Sequence, residues 1–225
     1  MLLVLLVTGP VAAQEPAKHS LIPHTRAILL LGTVGGLMPF DARISRQFDQ
    51  PWVQNSNALH STASFFNDVG QPGAVVVALA TLGTGLISGS HDITDAGLHA
   101  SEAIAVSGTA TYLIKIMAGR ERPNHSPGDA DEFTFAGGLK GQGGQSFPSG
   151  HTTAAFALAA TFTDEVKRHD PAAAKWVGPV AYGTAGMVGL ARMYSQKHWA
   201  SDVMLGAIIG TVTAKELVKL HHKSR

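Results

Sequence analysis

The chain has 225 residues, of which 45% are apolar and only 15% charged, with 17 Lys and Arg against 16 Asp and Glu. That near balance speaks against a nucleic-acid or other polyanion binder, whose affinity rests on a basic excess. The absence of cysteine excludes disulfides, thiolate nucleophiles and cysteine-type zinc sites.

In chain order, the apolar run Leu2 to Val7 is broken at Gly9-Pro10 and followed by Val11-Ala12-Ala13 before Gln14. This pattern predicts a signal peptide over 1–13, export to the periplasm or the exterior, and a single domain over 14–225. An apolar first helix of the mature fold is the alternative. Uncharged runs follow at Ala27–Phe40, Val69–Ser90, Ala103–Ile114, Thr152–Thr163, Trp176–Ala191 and Val203–Ala214. A membrane span needs roughly 20 mostly apolar residues. Only Val69–Ser90 is that long, and Pro72 and several glycines interrupt it. The expectation is therefore a soluble or peripheral helical bundle, with an integral membrane protein as the alternative.

Asp92-Ile93-Thr94 predicts a helix start, with apolar spacings of three and four residues running toward Lys115. Arg120 to Gly144 is rich in Pro, Gly and Asp and reads as a loop of the length that usually carries function. A helix is expected from about Gly150 to Arg168. Asp170-Pro171 then supplies the cap and first residue of another, running to about Ala191 with a kink at Pro179. Gly183, Gly186 and Gly189 along it would admit a close neighbour. A last helix is expected from near His198 to about Leu220. Nothing alternates as a strand does, so the fold class is all-α.

Three clusters carry candidate chemistry. Lys115 and Arg122 are seven residues apart, two helical turns, with Pro123 ending the helix there. Taken alone, they could be a solvated basic helix end. Pro148-Ser149-Gly150-His151 opens a helix, where backbone N–H groups bind anions and glycine permits close approach. An ordinary serine cap is the bland reading. Neither Ser146 nor Ser149 has the flanking glycines of a nucleophile elbow. Arg192, His198 and Asp202 form the third cluster. A helix starting at His198 would bring Asp202 to its imidazole and leave the other ring nitrogen free to attack. Elsewhere, His91, Asp92 and Asp95 read as helix-start residues rather than metal ligands, and His221-His222 as a frayed, solvated terminus. Gly137 to Gly144 is not a P-loop, because Gly141 follows Lys140; it reads as a lip beside the site, with Phe133 and Phe135.

Taken together, Lys-x6-Arg-Pro, Pro-Ser-Gly-His and Arg-x5-His-x3-Asp, spanning 115–202 in this order, resemble the type 2 phosphatidic acid phosphatase superfamily. That superfamily includes class A acid phosphatases and vanadium haloperoxidases. The resemblance implies a single-domain helical phosphatase without cofactor or metal, acting on small or lipid phosphate esters, with peripheral contact to a membrane. It implies that His198 attacks phosphorus to form a phosphohistidine, that Asp202 orients it, and that His151 protonates the leaving group and then activates water. Lys115, Arg122, Ser149, Gly150 and Arg192 would bind the phosphoryl oxygens. Ala191 departs from the family's common serine, removing one hydrogen bond to phosphate. The rival readings are an integral lipid phosphate or diphosphate phosphatase with the same site, a vanadate-dependent haloperoxidase, and an inactive phosphate- or lipid-binding protein.

Overall fold

The computed structural model describes residues 24–141 and 143–223, so the signal peptide expected over 1–13 lies outside the described residues. The fold is all-α, as expected. Its helices are α1 (His24–Leu37), α2 (Asp41–Phe48), α3 (Pro51–Gln54), α4 (Asn57–Asp68), α5 (Ala74–Ser88), α6 (His91–Ala118), α7 (Gly150–His169), α8 (Pro171–Tyr194) and α9 (Ala200–Lys223). Among the described residues the only extended pairing is a lone bridge between Arg120 and Phe133.

Local chemistry sets the helix ends. Gly89 and Gly119 close α5 and α6 in the left-handed conformation, φ 69° and 56°, which glycine adopts without a Cβ penalty. The Asp170 side chain accepts from the Ala172 and Ala173 N–H groups, and Pro171 opens α8 where its missing N–H costs nothing. Four expectations shift. The cap of α6 is Ser90, which accepts from Ile93, rather than Asp92. That helix stops at Ala118, well before Pro123, so Arg122 stands on the following loop. Helix α8 continues through Pro179 to Tyr194. Helix α9 begins at Ala200, leaving His198 in the turn before it.

Helix α7 forms the centre, packed against α6, α8 and α9. Small residues permit that closeness. A Cβ on Gly206 would lie 2.5 Å from the Ser149 carbonyl oxygen, and one on Gly210 would lie 2.9 Å from the Ala157 nitrogen. The two backbones therefore meet directly, and the start of α9 is held against the start of α7. On α8 Gly189 serves this purpose against Val203 and Thr152, and Gly178 lies close to Thr163, whereas Gly183 and Gly186 face open space.

The apolar residues are distributed in reverse of a water-soluble bundle. Alanine dominates the buried apolar positions, while Leu79, Leu86, Ile87, Leu113, Trp176 and Val180 are among many large apolar side chains left exposed. Two helical stretches, Ala27–Phe48 and Asn57–Ser88, are long and apolar enough to cross a bilayer. The second extends the expected run Val69–Ser90 toward the N-terminus through the irregular turn at 69–73. His221 and His222 are not a frayed end: they reach Glu102 at 2.6 Å and Glu165 at 3.1 Å, so α9 is tied to α6 and α7 down to its last turn.

Candidate active site

The first turn of α7, the end of α6, the last turn of α8 and the turn before α9 converge at one end of the bundle. Ser149 is fully buried, and its N–H donates to the Asp202 carbonyl at 3.0 Å. Its hydroxyl makes no helix cap and accepts from Thr152 Oγ1 at 2.9 Å, so its own proton can be donated elsewhere. Nothing lies within 4 Å of where a Cβ would stand on Gly150, so that N–H can be approached closely.

Three cations surround this helix start. Lys115 Nζ donates to the carbonyls of Gln145 and Pro148, at 2.5 and 2.7 Å, and so holds the strand of loop that leads into α7. Arg192 gives one nitrogen to Asn67 Oδ1 at 3.0 Å. The Nε atoms of Arg122 and Arg192 are buried without a partner. Buried donors are nearly always paired, so unpaired N–H groups on two arginines within electrostatic reach of each other suit the binding of an anion. His151 lies within electrostatic reach of Arg192, Lys115 and Arg122, and Arg192 within reach of Arg122.

His198 is 4% exposed, and its Nδ1 lies 2.7 Å from the Ser146 carbonyl oxygen. A carbonyl can only accept, so Nδ1 carries the proton and Nε2 keeps its lone pair. Burial pushes the imidazole pKa down to about 3, so the ring is neutral at physiological pH. The expected direct bond from Asp202 is replaced by a longer link, with Oδ2 3.6 Å from Nδ1. The same oxygen accepts from the Ser146 hydroxyl at 2.5 Å and from the Trp199 N–H at 2.8 Å. Asp202 therefore positions the imidazole chiefly through the residue whose carbonyl the imidazole grips.

Behind Asp202 lies a buried polar network that sequence reading missed. Arg120 donates to Asp202 Oδ1 and Ser201 Oγ, both at 2.7 Å, and to Asp41 Oδ2 at 2.8 Å. Asp41 in turn accepts from the Ser201 N–H at 2.9 Å and bonds the Ser201 hydroxyl. Rings of Phe133, Phe147 and Trp199 surround the guanidinium at 5.0, 5.8 and 5.5 Å. Phe133 thus packs behind the site, while Phe135 is largely exposed. Asp41 lies far from the motifs in sequence, and Arg120 was legible only as one more charge in RER. Asn67 carried no signal at all.

An apolar groove of about 190 Å³ runs between α4 and α8, lined by Phe48, Val53, Phe66, Leu190, Ala191 and Tyr194 among others. The methyl group of Ala191 packs there with Val53, Ala63 and Tyr194.

The described geometry can hold a tetrahedral oxyanion among fixed positive charges and present a neutral imidazole lone pair to it. The sequence profile of the PAP2 superfamily matches residues 96–225. A lipid A 1-phosphatase of Porphyromonas gingivalis is 37% identical over 89 residues, 39% of this chain and 19% of that protein. Lipid phosphate phosphatase 1 of Arabidopsis thaliana is 30% identical over 133 residues, 50% of this chain and 40% of its own. The chain thus spans less than half the length of either relative. Among solved structures, the fold resembles a transmembrane PAP2 type phosphatidylglycerolphosphate phosphatase from Bacillus subtilis, with TM-score 0.67 and 20% identity over 90% of this chain and 97% of that one. It also resembles Aquifex aeolicus LpxE, with TM-score 0.59 and 20% identity over 80% and 95% of the two chains.

Proposed function

Because the chain belongs to the PAP2 superfamily, we propose that it is an integral membrane phosphatase that hydrolyses lipid phosphate esters through a phosphohistidine on His198. The observation that carries this reading is the pair of buried, unpartnered Arg122 and Arg192 nitrogens; the helix that bears Arg192 also lines an apolar groove. A headgroup phosphate satisfies the first feature and an acyl chain the second. The curated relatives act, by their names, on lipid A and on lipid phosphate, which favours the same substrate class here.

His198 Nε2 attacks phosphorus in line with the ester oxygen. Lys115, Arg122, Arg192, the Ser149 hydroxyl and the Gly150 N–H neutralise the charge that builds on the phosphoryl oxygens. His151 gives a proton to the departing alkoxide, then takes one from the water that attacks the phosphohistidine, regenerating His198 and releasing phosphate. The positive charge that His198 gains on phosphorylation is balanced by Asp202, 3.6 Å from Nδ1.

Placement in the bilayer is favoured over the soluble or peripheral arrangement by the packing. With lipid outside, large apolar side chains belong on the surface and small residues between helices. At 1.5 Å per residue the 24 residues of α8 and of α9 extend about 36 Å, more than the hydrocarbon thickness of about 30 Å. Export of the site to the far side of that membrane remains part of the proposal.

The test is phosphate release in mixed micelles, with EDTA, from phosphatidate, phosphatidylglycerol phosphate, a phosphorylated lipid A, aryl phosphate and nucleotides. Turnover of the lipids well above that of the nucleotides is expected. Release only from soluble esters would overturn the lipid reading, and a bromide-oxidising activity on adding vanadate would support the haloperoxidase instead.

A further inference from the structure

The other end of the bundle holds a second buried cluster that the phosphatase reading leaves unused. It lies about 22–30 Å from the cation-lined end, counting 15 to 20 residues along α7 and α9. His99 of α6 and Glu165 of α7 are 1% and 2% exposed. His99 Nδ1 lies 2.7 Å from Glu165 Oε1, and His222 Nε2 of α9 lies 3.1 and 3.2 Å from the two carboxylate oxygens. One ring nitrogen from each histidine and one carboxylate oxygen fall within 4.8 Å of one another. The His221 ring stacks on His99 with centroids 4.4 Å apart and bonds Glu102.

The buried carboxylate gives the cluster an affinity for a cation. A carboxylate this buried needs compensating positive charge, and the side chains bonded to it are the His99 and His222 imidazoles, each able to give a ring nitrogen to a metal ion. The second nitrogen of His99, Nε2, is buried without a partner. With Nδ1 as the ligand to a metal ion, that atom carries the ring proton.

We propose that His99, Glu165 and His222 bind a zinc-class transition-metal ion that clamps α6, α7 and α9 together. Mixed imidazole and carboxylate donors suit Zn²⁺, whereas Ca²⁺ and Mg²⁺ take oxygen sets. Tetrahedral zinc with bonds of 2.0–2.1 Å places its ligand atoms about 3.3 Å apart. The His222–Glu165 separations already match, and the His99–Glu165 pair needs to open by about half an ångström. Water completes the coordination on the side where His222 is partly exposed. The ion takes no part in phosphoryl transfer; its role is to close the bundle at the end away from His198.

The experiment uses the full chain in detergent, without a histidine tag, stripped with EDTA and dialysed. Zn²⁺ is titrated by calorimetry, bound metal is counted by mass spectrometry, and melting is followed with and without Zn²⁺. One zinc per chain and a higher melting temperature are expected. His222→Gln, which keeps a side chain able to bond Glu165, should keep the fold and weaken Zn²⁺ at least 10-fold, and Glu165→Gln should do the same. His169→Gln, exposed and outside the cluster, should bind as the wild type does. A wild-type chain that takes up no zinc, or zinc binding that His222→Gln and Glu165→Gln leave unchanged, overturns the proposal.

Discussion

Arg120 and Asp202 form a fully buried ion pair 2.7 Å across, and the same guanidinium reaches Asp41 on the far side. One cation thereby holds two carboxylates out of water, and one of those carboxylates anchors the Ser146 segment whose carbonyl fixes His198. Removing one partner of such a pair leaves a buried charge uncompensated, at a cost of about 3–5 kcal/mol. Arg120→Ala is expected to lower the melting temperature sharply. Arg120→Lys, which keeps the charge but not the fork, should lower kcat at least tenfold with KM nearly unchanged. Unchanged kcat in a folded Arg120→Lys protein would disconnect this network from His198.

His198→Ala should lose at least about 10⁴-fold in kcat for every substrate, because the covalent route disappears with its nucleophile. Acid-quenched wild-type protein should carry one acid-labile phosphate, and this variant none. Because burial holds the ring pKa near 3, the His198 imidazole resonance should not titrate between about pH 5 and 8. Near-normal turnover by the variant would mean that another group attacks phosphorus.

His151→Ala separates the two proton transfers. An alkyl leaving group needs its proton, so alkyl phosphates should slow by about 10²–10⁴-fold in the first step. An aryl phosphate departs without help and should give a burst of about one phenolate per enzyme, followed by slow hydrolysis of the phosphohistidine. Equal slowing of the first step for both would remove His151 from the acid role.

The α7–α9 contact should be intolerant of bulk. Gly210→Val puts branched carbon against Ala157 and the Thr153 carbonyl, where backbone cannot yield. A loss of about 1–3 kcal/mol or more is expected, with reduced activity because α9 carries Asp202. Gly186→Ala, where a Cβ meets nothing, should be neutral or slightly stabilising. Similar melting temperatures for the two would show that close backbone packing is not what holds the site together.

Leu190→Asp should distinguish lipid from soluble substrates. Placing a charge in the apolar groove forfeits about 0.8 kcal/mol for each methylene that would have been buried there. KM for a long-chain lipid phosphate should rise at least tenfold, while a water-soluble aryl phosphate is turned over as before. Parallel losses on both substrates would argue that the groove does not take the acyl chain.

What the sequence determined by itself was local and chemical. Helix starts and stops follow from the caps and glycines near each boundary, so Asp170-Pro171 and the Gly150 start were legible. The ordered trio of motifs named the residues that now meet, because each motif carries its own charges wherever the chain takes it. What only the tertiary structure decided was which distant groups share a space and which side of each helix is buried or exposed. Asp41 and Arg120 become partners across 79 residues, and Asn67 meets Arg192 across 125. No periodicity encodes such pairings, since they depend on how whole helices pack. The same holds for His99, Glu165 and His222, the last of which had read as part of a solvated terminus: three helices packed together bring their side chains into one cluster.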